Sequence, residues 1–116
     1  MDTLFILNDG PYGTERSFNA LRIAGALAKR GNGTVRIFLM GDAAPCAKRG
    51  QKVPQGYYNI EHMLSIVTRR GHAVAVCGTC MDARGITDEE LAEGTRRGTL
   101  DELAEWTETA DQVLVF

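Results

Sequence analysis

Four short apolar runs constrain this chain more than any other feature: "TLFILN" (3–8), "TVRIFLM" (34–40), "HAVAVC" (72–77) and "QVLVF" (112–116). Each has the length of a strand and lacks the 3.6-residue spacing of a half-buried helix. Between the first two, Phe18, Leu21, Ala24, Leu27 and Ala28 recur at helical spacing from Ser17 to Arg30. Gly31-Asn32-Gly33 then stops that helix. Strand, helix and strand in this order make a βαβ unit, whose crossover is right-handed and whose strands are therefore parallel.

The same logic extends along the chain. "GDAAPCAKRGQ" has room for one short helical turn, and Asn59 is placed to cap a helix with the stripe Ile60, Met63, Leu64, Val67. Gly71 ends that helix and the third strand follows. Thr87-Asp88-Glu89-Glu90 has the spacing of a capping box, with Leu91 opening an apolar face. Thr99-Leu100-Asp101-Glu102 repeats the signature before Leu103 and Trp106, and "QVLVF" is expected as a last buried strand. The sum is one domain over residues 1–116, of α/β class. Its architecture is a three-layer α/β/α sandwich with a mainly parallel central sheet. A compact chain of 116 residues should have a radius of gyration of roughly 13 Å.

In open parallel sheets, ligands meet the loops at the carboxyl ends of strands. Three loops start there: Asn8 to Glu15, Gly41 to Gln51, and Cys77 to Gly85. The last carries the most chemistry. Cys77 ends the third strand, Gly78 lets the backbone turn, and Cys80, Asp82 and Arg84 follow closely. A helical turn beginning near Thr79 would aim backbone N–H groups at a sulfur and, with Arg84, favour the thiolate, the nucleophilic form. Such a thiolate attacks sulfur or holds it as a persulfide. Cys77 is then the acceptor, Cys80 a modulating or resolving thiol, and Arg84 a stabiliser of negative charge.

Other readings of the same residues stand beside it. A dithiol redox pair suits a CxxC between strand and helix, but Gly85 cuts the helix short. Structural zinc wants four ligands, so Cys46, His62 and His72 would have to join one close cysteine pair, and no metal is expected. A buried, inert cysteine is the bland alternative. "NDGPYGTE" lacks both GxxxxGK[ST] and GxGxxG, so no nucleotide cofactor is expected. Asn8, Asp9, Tyr12 and Glu15 are candidates to line or close the pocket, although an Asp-Gly-Pro turn explains them structurally. Cys46 can face the same pocket or pack as an apolar side chain. Tyr57 and Tyr58 suit a pocket rim or a subunit interface. No hydrolytic triad is legible.

Charge removes further classes. Thirteen basic against fifteen acidic residues leave a formal charge of −2, which gives no pull toward nucleic acid or an anionic membrane. Arg69-Arg70 and Arg96-Arg97 are expected as solvated faces. No run approaches the 18 or so apolar residues that span a bilayer, and "MDTLFILNDG" lacks a basic start and a cleavage site. The expected location is cytoplasmic. Three cysteines are an odd number, too few for a secreted scaffold, so thiols at rest are expected.

Beyond these readings, "NDGPYGTE", "RIFLMGDA" with the following "RGQ", "GYYNIEHML", "CGTCMDARGI" and "GTLDELAEWTETADQVLVF" together resemble the DsrE/DsrF-like family over essentially the whole chain, and its small stand-alone YchN-like branch in particular. The spacing from Cys77 to Arg84-Gly85 is similar to the segment around the sulfur-accepting cysteine of TusD and DsrE subunits. The resemblance implies a sulfur-transfer or persulfide-carrier protein with its principal sulfur on Cys77 and a second, branch-typical cysteine at Cys80. It implies self-association as a homotrimer or homohexamer, with sulfur-donor and sulfur-acceptor proteins as partners. The alternatives are a non-enzymatic oligomeric ligand- or partner-binding protein, or a CxxC thiol-disulfide oxidoreductase.

Overall fold

The computed structural model describes residues 1–116. Five strands form one sheet: β1 (Thr3–Leu7), β2 (Val35–Leu39), β3 (Ala73–Cys77), β4 (Thr95–Gly98) and β5 (Gln112–Val115). Their spatial order is β4-β3-β2-β1-β5, and every neighbouring pair is parallel. Four helices accompany them: α1 (Arg16–Arg30), α2 (Ile60–Thr68), α3 (Gly78–Ala83) and α4 (Leu100–Thr109). A 3-10 helix spans Gly41–Ala47 after β2, and a 3-10 turn spans Asp88–Glu90. The radius of gyration is 13.0 Å, as expected for a compact chain of this length.

Side-chain alternation divides the core in two. Phe5 and Leu7 of β1, Val35, Ile37 and Leu39 of β2, and Val74 and Val76 of β3 pack under α1, α2 and α3 as the larger core. The intervening residues Leu4, Phe38 and Ala75 meet Leu103 and Trp106 of α4 on the opposite face. Such alternation is what a pleated strand with both faces covered requires. α4 is short but well anchored, because Thr99 Oγ1 caps the N–H of Glu102. Trp106 lies edge-on to Phe38 at 6.1 Å, and the guanidinium groups of Arg36 and Arg96 lie 5.7 and 5.8 Å from its ring centroid.

The chain steps from β1 through β4 in one direction and then returns to place β5 on the far side of β1. This return carries α4 to the second face and sets the topological switch point between β1 and β5. There, both the backbone N–H and the Nδ2 group of Asn8 donate to the Phe116 carbonyl, at 2.8 and 3.1 Å.

Three sequence expectations need correction. Thr87 and Glu90 do form a reciprocal capping box, but it closes only the 3-10 turn, and no helix follows. Leu91 instead bridges to Lys48, and Gly94 turns with φ of 86°, where an added Cβ would lie 2.7 Å from Thr68 Cβ. Secondly, Arg96 and Arg97 are exposed, as expected, but they lie on an unforeseen strand, β4. Thirdly, β5 is an edge strand rather than a buried one. Leu114 and Phe116 pack on the larger core, whereas Val113 and Val115 remain 37% and 64% exposed.

Candidate functional site

The parallel register aligns the carboxyl ends of β2 and β3, with Leu39 opposite Val76, so the loops leaving them are neighbours. α3 follows Cys77 without an intervening residue and lasts six residues. Gly85, at φ 66°, ends it in the left-handed conformation that side chains other than glycine adopt at a cost. Fully buried Met81 pins this short helix to the larger core. Gly78 is needed for space rather than for a turn: its φ is ordinary, and an added Cβ would lie 2.8 Å from Arg97 Nη1.

Cys77 and Cys80 are half-buried free thiols on the two sides of the sheet's end. Cys77 packs against the smaller core and Cys80 against the larger. Cys77 Sγ lies 3.3 Å from Thr79 Oγ1. Burial raises its proton affinity, but hydrogen bonds from the Cys80 thiol, the Thr79 hydroxyl and the N–H groups of Cys80 and Thr79 outweigh burial. The Cys77 thiol therefore titrates below its ordinary value. Cys80 moves the other way. Burial first, then the neighbouring Cys77 sulfur, push it above its ordinary value, against the Gly41 N–H and the Arg84 charge. The two thiols are thus unequal, Cys77 being the more acidic.

The second loop supplies the contacts around Cys80. Gly41 N–H donates to Cys80 Sγ at 3.2 Å. Arg84 donates through Nη1 to the Cys80 carbonyl at 3.1 Å and through Nη2 to Asp42 at 2.7 Å. Its charge accordingly falls beside Cys80 and holds the Gly41 and Cys77 loops together. Asp82 accepts from Arg97 Nη2 at 3.1 Å; the same guanidinium also reaches Asp88 and the Gly78 carbonyl. Sequence reasoning missed Arg97 and the Gly41 N–H: one sits on an unforeseen strand, the other is backbone.

The first loop is arranged differently, because β1 neighbours β2 and not β3. Asp9 bonds Thr14 through its carboxylate and Ser17 through its carbonyl, and Cys46 Sγ lies 3.7 Å from that carbonyl. Cys46 is buried, and desolvation pushes its thiol up to about 12, which keeps it protonated. Tyr12 accepts from Ile60 N–H at 3.2 Å and lies tilted against Tyr57 and Tyr58, the latter stacked on Phe18, away from the thiols in its hydrogen bonding. Glu15 caps α1 by its backbone position alone. Asn8 is engaged at the switch point. His72 accepts from Val35 N–H at 3.1 Å, and His62 donates its N–H to Asn59. No group of three or more metal-ligating side chains converges anywhere. Two cavities, of about 410 and 210 Å³, lie beside α2 and beside the start of β1, and neither is lined by a cysteine.

Comparison with known proteins gives the relatives of the whole chain. A model of the DsrE/DsrF-like family matches residues 1–116. Protein YchN of Escherichia coli is 47% identical over 114 residues, covering 97% of each chain. An uncharacterized protein of Methanopyrus kandleri is 34% identical, over 96% of this chain and 90% of its own. The crystal structure of the Escherichia coli ychN protein superposes with a TM-score of 0.92 over the whole of both chains. A Methanobacterium thermoautotrophicum protein of unknown function shares the fold at 13% identity, with a TM-score of 0.74 and 97% of each chain covered. No helix here is long and apolar enough to cross a membrane.

Proposed function

This chain belongs to the DsrE/DsrF-like family, and from that membership we propose that it carries sulfane sulfur on Cys77 between a donor and an acceptor thiol. The supporting observation is the inequality of the two cysteines. Cys77, half-buried and hydrogen-bonded from Thr79 and Cys80, is the better thiolate at neutral pH. The Cys77 thiolate attacks the outer sulfur of a persulfide or polysulfide, a new S–S bond forms, and the donor thiolate leaves with the electron pair. An acceptor thiolate then repeats the attack on the outer sulfur and Cys77 departs as thiolate. No net oxidant or reductant is consumed. Arg84 keeps the loop in place from the Cys80 side, while the Thr79 hydroxyl and nearby N–H groups receive the negative charge. Self-association as a homotrimer or homohexamer belongs to the same proposal, favoured by the exposed apolar side chains Leu100, Val113 and Val115.

Reduced protein is incubated with polysulfide, freed of excess, and weighed intact before peptide mapping. A gain of about 32 Da, one sulfur atom, is expected on Cys77 of the Cys80→Ser chain, which has no second thiol beside it, and is absent from the Cys77→Ala chain. Failure of several sulfane donors to load Cys77, or equal loading of Cys77→Ala, overturns the proposal.

A further inference from the structure

Carrying sulfur on Cys77 does not require the second thiol, yet Cys80 is held with care. Its sulfur accepts the Gly41 N–H at 3.2 Å, its carbonyl is fixed by Arg84, and it is the third residue of the helix whose N-cap is Cys77. Residues three apart on a helical turn have Cβ atoms about 5–6 Å apart. A disulfide needs roughly 3.5–4.5 Å, so a small adjustment within α3 closes one. Cys80 also packs toward the larger core, while the side-chain contact of Cys77 Sγ is with Thr79. In a Cys77 persulfide the inner sulfur stays bonded to Cys77 Cβ, three residues from Cys80, while rotation about its bonds brings the outer atom into line as the leaving group.

Resting on the reading of Cys77 as a sulfur carrier, we propose that Cys80 discharges the Cys77 persulfide as hydrosulfide, making the pair a sulfane-sulfur reductase as well as a carrier. The Cys80 sulfur attacks Cys77 Sγ, the Sγ–Sγ bond forms, and the bond to the outer sulfur breaks. That outer atom leaves with the electron pair and takes the Cys80 proton, giving hydrosulfide and a Cys77–Cys80 disulfide. The sulfane atom gains two electrons and the two cysteines lose two. A dithiol reductant restores both thiols and is itself oxidised to a disulfide. An acceptor thiol and Cys80 thus compete for one persulfide, through its outer and inner atoms respectively.

The test compares wild type with Cys80→Ser, which keeps an acceptor for Gly41 N–H. Both are loaded with polysulfide, desalted and followed by intact mass and by hydrosulfide assay without reductant. Wild type is expected to lose the added sulfur and reach a mass about 2 Da below the reduced chain, the signature of an intramolecular disulfide, with one hydrosulfide per chain. Cys80→Ser is expected to keep the added sulfur at least about ten times longer, since an intramolecular thiol acts at high effective concentration. Dithiothreitol, added only after that comparison, should return wild type to the mass of the reduced chain with no further hydrosulfide, while it should strip the retained sulfur from Cys80→Ser as hydrosulfide. If both chains load and hold sulfur equally, the discharge is refuted and the carrier stands. Hydrosulfide released equally fast from Cys80→Ser, or without the Cys77–Cys80 disulfide, also refutes it. If neither chain loads, the carrier reading itself falls.

Discussion

Met81→Ala tests whether the thiol loop owes its geometry to the larger core. The Met81 side chain is fully buried in the larger core, and its carbonyl accepts the N–H groups of Arg84 and Ile86. Truncation removes three heavy atoms beyond Cβ, worth about 2.4 kcal/mol at ~0.8 kcal/mol each. A residual cavity of about 40 Å³ adds ~1 kcal/mol at ~24 cal/mol per Å³. The expected loss is therefore about 3.5 kcal/mol, a large share of the ~5–15 kcal/mol available to a domain. Urea unfolding at one fixed protein concentration measures it, since any self-association would contribute to apparent stability. Met81→Leu, nearly volume-conserving, should cost less than about 1.5 kcal/mol. Amide exchange at Thr79 and Cys80 should accelerate in the alanine variant beyond what the global loss explains. A loss below about 1 kcal/mol with unchanged exchange at those amides would show that α3 is held by its polar contacts alone.

Thr79→Val removes the hydroxyl beside Cys77 Sγ, so the pH midpoint of Cys77 alkylation by iodoacetamide should move upward; an unchanged midpoint rejects that hydrogen bond as a cause of the thiol's acidity. Glu90 is held at about 2, first by the Thr87 N–H and then by Lys48, against an ordinary value of 4.5. Its folded value is depressed, so its stabilisation is present above pH 4.5 and fades as pH falls toward 2. Glu90→Gln should therefore melt below wild type at pH 6 and converge with it near pH 2; a constant gap in thermal melting across that range contradicts the assignment. Native mass spectrometry at micromolar concentration should find trimers or hexamers, and Val115→Glu should shift them toward monomer, whereas a monomeric wild type would remove the self-association proposal.

The parallel sheet was legible because β1, β2 and β3 are apolar on both faces, and both faces are covered. β4 was not, because "TRRG" has no apolar side chain: it joins the sheet through backbone bonds to β3 while Arg96 and Arg97 reach outward to Glu102, Asp82 and Asp88. Charged edges of this kind carry little strand propensity and also discourage further pairing. β5 misled in the opposite sense. "QVLVF" is apolar at every position after Gln112, yet only Leu114 and Phe116 find core. Hydrophobicity states a need for cover and does not say that the same chain supplies it. At the site, the cysteines' place after β3 followed from strand and glycine signals. The grouping of Asn8, Tyr12 and Glu15 with them depended on strand order, which local sequence does not encode. With β2 between β1 and β3, the first loop meets the second, and the second meets the thiols.

The opposite packing of the two cysteines turns the sheet's end into a gauge with two channels. A label on Cys77 senses the layer built on α4, and one on Cys80 senses the layer built on α1 and α2. Joining the two sulfurs would tie together two neighbouring side chains at the end of β3 whose packing partners lie on opposite faces. Oxidation state would then register as a change of packing on both faces at once, read by Trp106 fluorescence on one side and by the tyrosine cluster on the other.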